Sequence, residues 1–274
     1  MKKNHLIIYS NSKNDELGMG DYLRLISFIP NLMFNKVTWI ADKKTLDIIR
    51  LSEHINNFVD IKNIILKDFI KDHHQVIDLV NNKKNNRNVF YLKNLINKKK
   101  NIKENTFDIL GILSKFFKIK KLRLYSNNQN IVSTKNSIFI NWIVPNEWKI
   151  KTMQLSEWKK LKEIICKQTK YKKIIWQNKN DTLQSYFKKI NSSEIVLSIV
   201  GLGCHIAIMY NKPLILLTGP TYFKEAEIYP KLKILETDKL CKIHSHKLNI
   251  KSKQCDCMKY INYDKIIEIL RNNS

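Results

Sequence analysis

The stretch LGMGDYLR, Leu17–Arg24, sets two glycines and a carboxylate just after the first apolar run of the chain. Gly18 and Gly20 would let the backbone approach a ligand closely. A dinucleotide fingerprint would require a third glycine where Leu23 stands, and this loop instead carries an acid, Asp21, among its glycines. Asp21 has two chemical readings. It can cap the helix that follows, where orphan N–H groups and the helix dipole favour an acid. In the mouth of a cleft it can serve as a general base.

A second glycine pair lies in SIVGLGCHIAIMYNKPLILLTGP. Gly201 and Gly203 stand where a strand ends and a helix begins, so their backbone N–H groups form an anion site suited to a diphosphate. His205, in the first helical turn, can donate to a phosphate oxygen or act as a capping or core histidine. The next strand runs into TGPTYFKEAEIYP, which adds Thr218 and Gly219 as a second turn at the same sheet edge. A third strand end, NWIVPNEWKIKTMQLSEWKKL, offers Lys149 or Lys151 as a cation for the same phosphates. Near the end of the chain Cys241, His244, His246, Cys255 and Cys257 are zinc-type ligands, but their spacing fits no common structural site. They are expected to be free thiols and surface histidines, with no metal. No HExxH pair, nucleophile elbow, Walker lysine or kinase set is present.

These loops need strands to end on and helices to open. SIFIN (Ser137–Asn141), KIIW (Lys173–Trp176), EIVLS (Glu194–Ser198), LILLT (Leu214–Thr218) and KILE (Lys233–Glu236) read as short buried strands. Helical patterns at Leu155–Gln168, Leu183–Ile190 and Gly203–Tyr210 alternate with them, which predicts a parallel sheet covered on both faces. The N-terminal half begins in the same way, with LIIY, a loop, a helix from Asp21, and VTWI. It then blurs into Lys/Asn-rich runs such as NNKKNNRN and NKKKNIKEN, read as solvated loops or helix faces. The expectation is α/β, with an N-terminal domain over residues 1–134 and a C-terminal domain over 135–274. The amphipathic closing segment, YDKIIEILRN, is expected to pack back on a domain, the N-terminal one included.

Composition narrows the partners. A net charge of +25 suggests nucleic acid or an anionic membrane, but the chain has only five arginines, Arg24, Arg50, Arg87, Arg123 and Arg271. Bidentate reading of phosphates and base edges uses arginine, so nucleic acid is set aside as the main partner. Lysine acts as a point charge at a membrane surface, so peripheral contact with an anionic membrane is retained. Five cysteines, an odd number, and an N-terminal apolar stretch too short for a signal peptide point to a cytoplasmic protein.

Taken in order, the motifs resemble the family 9 glycosyltransferases, the heptosyltransferase family of lipopolysaccharide core assembly. GMGDYLRLISFIPNL is similar to the family's N-terminal Gly-Asp motif and its helix with a proline, here Pro30. NSIFINWIVPNEWKIKTMQLSEWKKL resembles the start of its second domain, with Lys151 before a helix carrying Trp158. GLGCHIAIMYNKPLILLTGPT resembles its donor loop, and CDCMKYI its Cys-Met close. The resemblance implies a GT-B fold, two Rossmann-like domains facing across a cleft. It implies metal-independent transfer, with inversion, of a sugar from a nucleotide-sugar such as ADP-heptose to a glycolipid or glycan acceptor. Asp21 would then be the catalytic base, with Gly18, Gly20 and Arg24 on the acceptor side. Lys151, Gly201, Gly203 and His205 would hold the donor diphosphate, with Thr218 and Gly219 in the same donor loop and Asp181 near the nucleoside. The family's donor loop usually carries an acid before its glycine, and Ile199–His205 has none, which leaves the sugar and nucleotide open. Two alternatives stand beside this: a GT-B transferase with another nucleotide-sugar, and a non-catalytic basic binding protein on the same scaffold.

Overall fold

The computed structural model describes residues 5–11, 19–50, 52–64, 75–81, 89–91, 113, 115, 117–119, 132–221, 229–239 and 256–273. The Lys/Asn-rich segments 82–88 and 95–105, and with them Gly18, Cys241, His244, His246 and Cys255, lie outside the described residues. The chain divides into two compact units, Met1–Asn127 and Asn128–Ser274.

The first unit is built on a sheet of five parallel strands, β1 (His5–Tyr9), β2 (Lys36–Ala41), β3 (Asn57–Asp60), β4 (Gln75–Asp78) and β5 (Val89–Tyr91). Their order is β3-β2-β1-β4-β5. β1 lies at the centre, with Leu6 opposite Val37 on one side and Tyr9 opposite Asp78 on the other. Leu6, Ile7 and Ile8 are all fully buried, as a strand covered on both faces requires. Helix α1 (Met19–Phe28) begins two residues before Asp21, so the acid falls inside its first turn. A 3₁₀ turn, Ile29–Leu32, follows, with Pro30 in its first turn where no N–H is missed. Tyr22 of α1 meets Trp39 of β2 edge-on at 6.1 Å, and Trp39 Nε1 donates to Ser10 Oγ at 2.8 Å. The first contact seats α1 against the sheet, and the second ties β2 to the exit of β1. Helix α2 (Lys43–Ile49) starts after Asp42, whose carboxylate accepts from Thr45 N at 3.1 Å.

The second unit repeats the plan with a different winding. Its strands are β6 (Ser137–Asn141), β7 (Lys173–Trp176), β8 (Ile195–Ile199), β9 (Leu214–Thr218) and β10 (Leu232–Glu236). All are parallel, in the order β10-β9-β8-β6-β7. The strand at Glu194–Ser198 is shifted by one residue, because Glu194 N turns to bond Ser137 O before the ladder starts. Helices α3 (Leu155–Gln168), α4 (Leu183–Ser192), α5 (Leu202–Met209) and α6 (Tyr263–Asn272) pack around this sheet. Trp158, Leu161 and Ile165 form the buried stripe of α3. Ile266, Ile267 and Leu270 of α6 belong to the same core, so the closing helix is part of the second unit. Its N-terminus is capped by Asn262, whose side chain accepts from Lys265 N at 3.2 Å.

Among the described residues, no helix is long and apolar enough to cross a membrane.

Candidate functional site

In open parallel sheets, ligands bind outside the carboxyl ends of the strands, where the winding changes direction. In the second sheet that point lies between β6 and β8, which pair with Asn141 opposite Ser198. Three buried polar side chains meet there. Tyr186 of α4 donates its hydroxyl to Asn141 Oδ1 at 2.6 Å, Asn141 Nδ2 donates to Ser198 Oγ at 2.7 Å, and Ser198 Oγ donates to Ile199 O at 2.7 Å. Burial pushes the Tyr186 phenol up, with the electrostatic influence of nearby Cys204 and Asp181 adding to it, so its hydroxyl remains a donor.

The glycine turn rests on this network. A Cβ on Gly203 would lie 2.5 Å from Asn141 Cγ and 2.5 Å from the Tyr186 hydroxyl, so only a hydrogen fits. Gly201 differs. It is the residue before α5, its backbone is extended at φ 171, and a Cβ there would meet nothing within 4 Å. Cys204 Sγ donates to Gly201 O at 2.9 Å and holds the turn from inside. The first N–H groups of α5 therefore stand over a rigid base, with a glycine facing open space in front of them. His205 follows in the first turn, half-buried. The sequence leads one to expect both glycines at the phosphates; Gly203 has a packing reason as well.

Lys151 arrives from the neighbouring strand end. After β6 the chain passes Trp142, enters the 3₁₀ segment Asn146–Lys151, and is pinned at Thr152. Thr152 Oγ1 donates to Trp142 O at 2.7 Å and accepts from Trp158 Nε1 at 3.0 Å. Gln177, just past β7, accepts from Trp142 N at 3.2 Å and Ile143 N at 2.8 Å. The Lys151 ammonium lies over the Trp148 ring, 3.6 Å from its centroid. Asn141, Tyr186, Ser198, Gln177 and Trp148 carry no motif that sequence reading could have found. They meet only through the parallel pairing.

The remaining donor-side candidates have structural partners. Asp181 closes the turn before α4, with Oδ2 accepting from Asn178 N at 2.8 Å and Oδ1 from Lys189 Nζ at 2.6 Å. Burial pushes this carboxyl up, but the hydrogen bonds from Lys189, Asn178 and Ser185 and the Lys189 charge outweigh it, leaving it below its ordinary value. A carboxyl lowered in the folded state stabilises the fold above the unfolded value of 3.8 and loses that contribution as pH falls through the folded one. Lys189→Met is therefore expected to flatten the acid-side fall of the urea midpoint below pH 3.8, measured against wild type. Thr218 is buried and donates to Leu235 O at 3.4 Å. Gly219 is packed against Met258, from the Cys-Met close, and a Cβ there would also lie 3.5 Å from Thr237 Cγ2. Cys257 is buried beside it. Among the described residues, no group of three or more His, Cys, Asp or Glu side chains is arranged to hold a metal.

The first sheet has its own carboxyl edge, rich in acids. Asp42 follows β2, Asp60 ends β3 and Asp78 ends β4, and each accepts from backbone N–H groups of its own loop. Asp78 is also bonded by Asn81 Nδ2 at 2.7 Å, so both its oxygens serve that turn. Asp21 is held differently, by an ion pair with the guanidinium of Arg24 one turn along α1. Its side chain keeps 23% of its surface in contact with solvent, against 12% for Arg24, so the carboxylate is oriented but reachable.

No protein-family model matches the sequence, and no curated protein does. Solved structures do. A glycosyl transferase family 9 protein from Veillonella parvula DSM 2008 superimposes over 100% of this chain and 99% of its own, at 14% identity and a TM-score of 0.62. The E. coli ADP-heptose LPS heptosyltransferase II covers 98% of each chain, at 11% identity and a TM-score of 0.58. The E. coli heptosyltransferase WaaC, in a structure with ADP, covers 98% of this chain and all of its own, at 12% identity and a TM-score of 0.56. The fold is GT-B. At these identities the likeness is one of backbone architecture, and it runs through both units rather than one. A GT-B chain has two carboxyl edges to furnish, and here one carries Asp21 and the other carries Lys151, Gly201 and His205.

Proposed function

We propose that this protein is a glycosyltransferase that moves a sugar, heptose-like, from a nucleotide-sugar to a lipopolysaccharide core or other surface-glycan acceptor. The observation that carries the reading is the anion-binding turn at Gly201, seated at the direction change of the second sheet, with Lys151 supplied by the adjacent strand end. Such a site suits a leaving diphosphate. The first unit takes the acceptor. Asp21, held by Arg24, removes the proton from the acceptor hydroxyl as that oxygen attacks the anomeric carbon. The bond from that carbon to the diphosphate breaks, the configuration inverts, and the nucleotide leaves with the electron pair. Lys151, His205 and the N–H groups of α5 meet the charge that develops on it, so no resident metal is invoked. ADP is the first nucleotide to test, because neighbours of the same fold were solved with ADP and with an ADP-heptose analogue. The reaction is assigned to the cytoplasm, where the lysine-rich surface would favour an acceptor carrying phosphates at the inner membrane face.

A thermal-shift series with ADP, UDP, GDP and CMP tests the donor half. A ligand that binds only the folded state raises the melting temperature by linkage. One nucleotide class is expected to do so, to lose the effect with Lys151→Ala, and to keep it in EDTA. No shift with any of them, alongside salt-sensitive binding to anionic vesicles or nucleic acid, would overturn the transferase reading in favour of a basic binding protein.

A further inference from the structure

Trp148 lies within the stretch NWIVPNEWKIKTMQLSEWKKL but is given no role there, yet its ring lies under the ammonium of the proposed donor lysine, 3.6 Å from ring centroid to Nζ. The local backbone produces that contact. Trp148 and Lys151 are three residues apart in the segment Asn146–Lys151, two short 3₁₀ turns joined by a kink at Trp148 (φ -111, ψ 15). The segment is anchored at both ends. Trp148 N donates to Pro145 O at 2.9 Å, and Thr152 is tied to the exit of β6 through Trp142 O at 2.7 Å. Trp142 and Trp176, the other indoles of this edge, are committed to packing, edge-on to each other at 6.1 Å, with Trp142 Nε1 donating to Gln177 O. Among the described residues, Trp148 is the one of these three with a cation over its face.

We infer that Trp148 is a positioning residue for Lys151, holding the ammonium over its ring at the carboxyl end of β6 so that it meets the donor diphosphate already placed. This rests on the reading of Lys151 as a diphosphate ligand. A lysine stem loses much rotamer freedom when its head is fixed, and the ring has fixed it in advance. The indole attracts the ammonium through its quadrupole, and the ammonium's N–H groups are the donors that would meet phosphate oxygens. The assignment predicts a split: Trp148 matters for ligands that carry the diphosphate and not for the nucleoside alone.

The test is titration of the purified full chain with ADP and with adenosine, by calorimetry, for wild type, Trp148→Leu, Trp148→Phe and Lys151→Ala. Trp148→Leu is expected to weaken ADP about three- to tenfold, the range of a partly exposed cation–π contact, and to leave adenosine unchanged. Trp148→Phe keeps a ring under the ammonium and is expected to restore most of the loss, which a purely structural role would not require. In wild type, ADP is expected to change the indole emission, and Trp148→Phe to remove that change. This second readout holds even if the leucine variant fails to fold. Trp148→Leu binding ADP as wild type does, while Lys151→Ala binds weakly, would overturn the positioning role and spare the donor site. Lys151→Ala binding ADP at full strength would overturn the lysine's own role first. No binding of ADP, UDP, GDP or CDP by wild type would overturn both.

Discussion

Gly203→Ala is expected to destabilise the second unit by about 2–6 kcal/mol, through overpacking joined to the loss of one buried hydrogen bond. The added methyl has no place to go. It would fall 2.5 Å from Asn141 Cγ, 2.5 Å from the Tyr186 hydroxyl and 2.6 Å from Asn141 Nδ2. Asn141 cannot swing aside cheaply, because its amide is bonded on one side by Tyr186 and on the other to Ser198. Tyr186 is held by Phe139, edge-on at 5.7 Å, inside the sheet-facing layer. Relief therefore requires breaking a hydrogen bond at a buried site or lifting the start of α5 off the sheet. Either route also ruins the anion turn. Urea denaturation gives the stability change, and nucleotide thermal shift on any folded fraction gives the loss of the site. A variant as stable as wild type would mean that α5 relaxes freely, and the turn would not be rigid.

Gly201→Ala is the control for that result. Its extended backbone suits any residue, and its Cβ would meet nothing within 4 Å, so stability should change by less than about 1 kcal/mol. Under the proposed function nucleotide affinity should nevertheless fall, since the methyl would stand in the space that reading gives to the phosphates. The two glycines, adjacent in one motif, separate in this way into a packing glycine and a ligand-facing one.

That separation marks how far the sequence could be read. The second sheet was legible because most of its strands are short apolar runs and helix-period segments follow β6, β7 and β8, and SIFIN, KIIW and LILLT occupy the strands expected of them. In the first sheet only β1 and β2 have that character. NFVD, QVID and VFY are strands of only three or four residues, the first two with a polar residue at each end, and they become strands by pairing with neighbours rather than by any pattern of their own. The candidate site divides along similar lines. Asp21 and the Gly201 turn stood out because their residue types are unusual at strand ends, whereas Lys151 is one lysine among many and is separated from Lys149 only by the family resemblance. Asn141, Tyr186 and Gln177 are ordinary residues whose meaning depends on a parallel register that joins positions 45 and 35 residues apart. Asp181 shows the opposite limit. An acid at the right place in the sequence proves to be engaged by its own turn and by Lys189.

Asp21→Asn is expected to lower kcat by about 10²- to 10⁴-fold, the contribution of a positioned general base, while nucleotide binding stays at wild-type strength. The competing account of Asp21 is electrostatic. It lies in the first turn of α1, where a carboxylate interacting with the helix dipole contributes about 0.3–1 kcal/mol. The two accounts predict different things for the same variant. Asparagine keeps the shape and loses the charge, so a purely helix-stabilising role would show as a small drop in melting temperature with turnover within a few-fold of wild type. A base would show as lost turnover at nearly unchanged stability. Arg24→Met refines the comparison, because it leaves the carboxylate in place and removes the guanidinium that orients it. An intermediate loss of kcat is expected there, smaller than for Asp21→Asn. Should Asp21→Asn turn over normally, the acids of the same edge offer little replacement. Asp78 has both oxygens bonded within its own turn, and Asp42 and Asp60 each cap the backbone that follows them. The base would then have to come from outside the described acids of this edge, and Asp21 would be part of a helix start and nothing more.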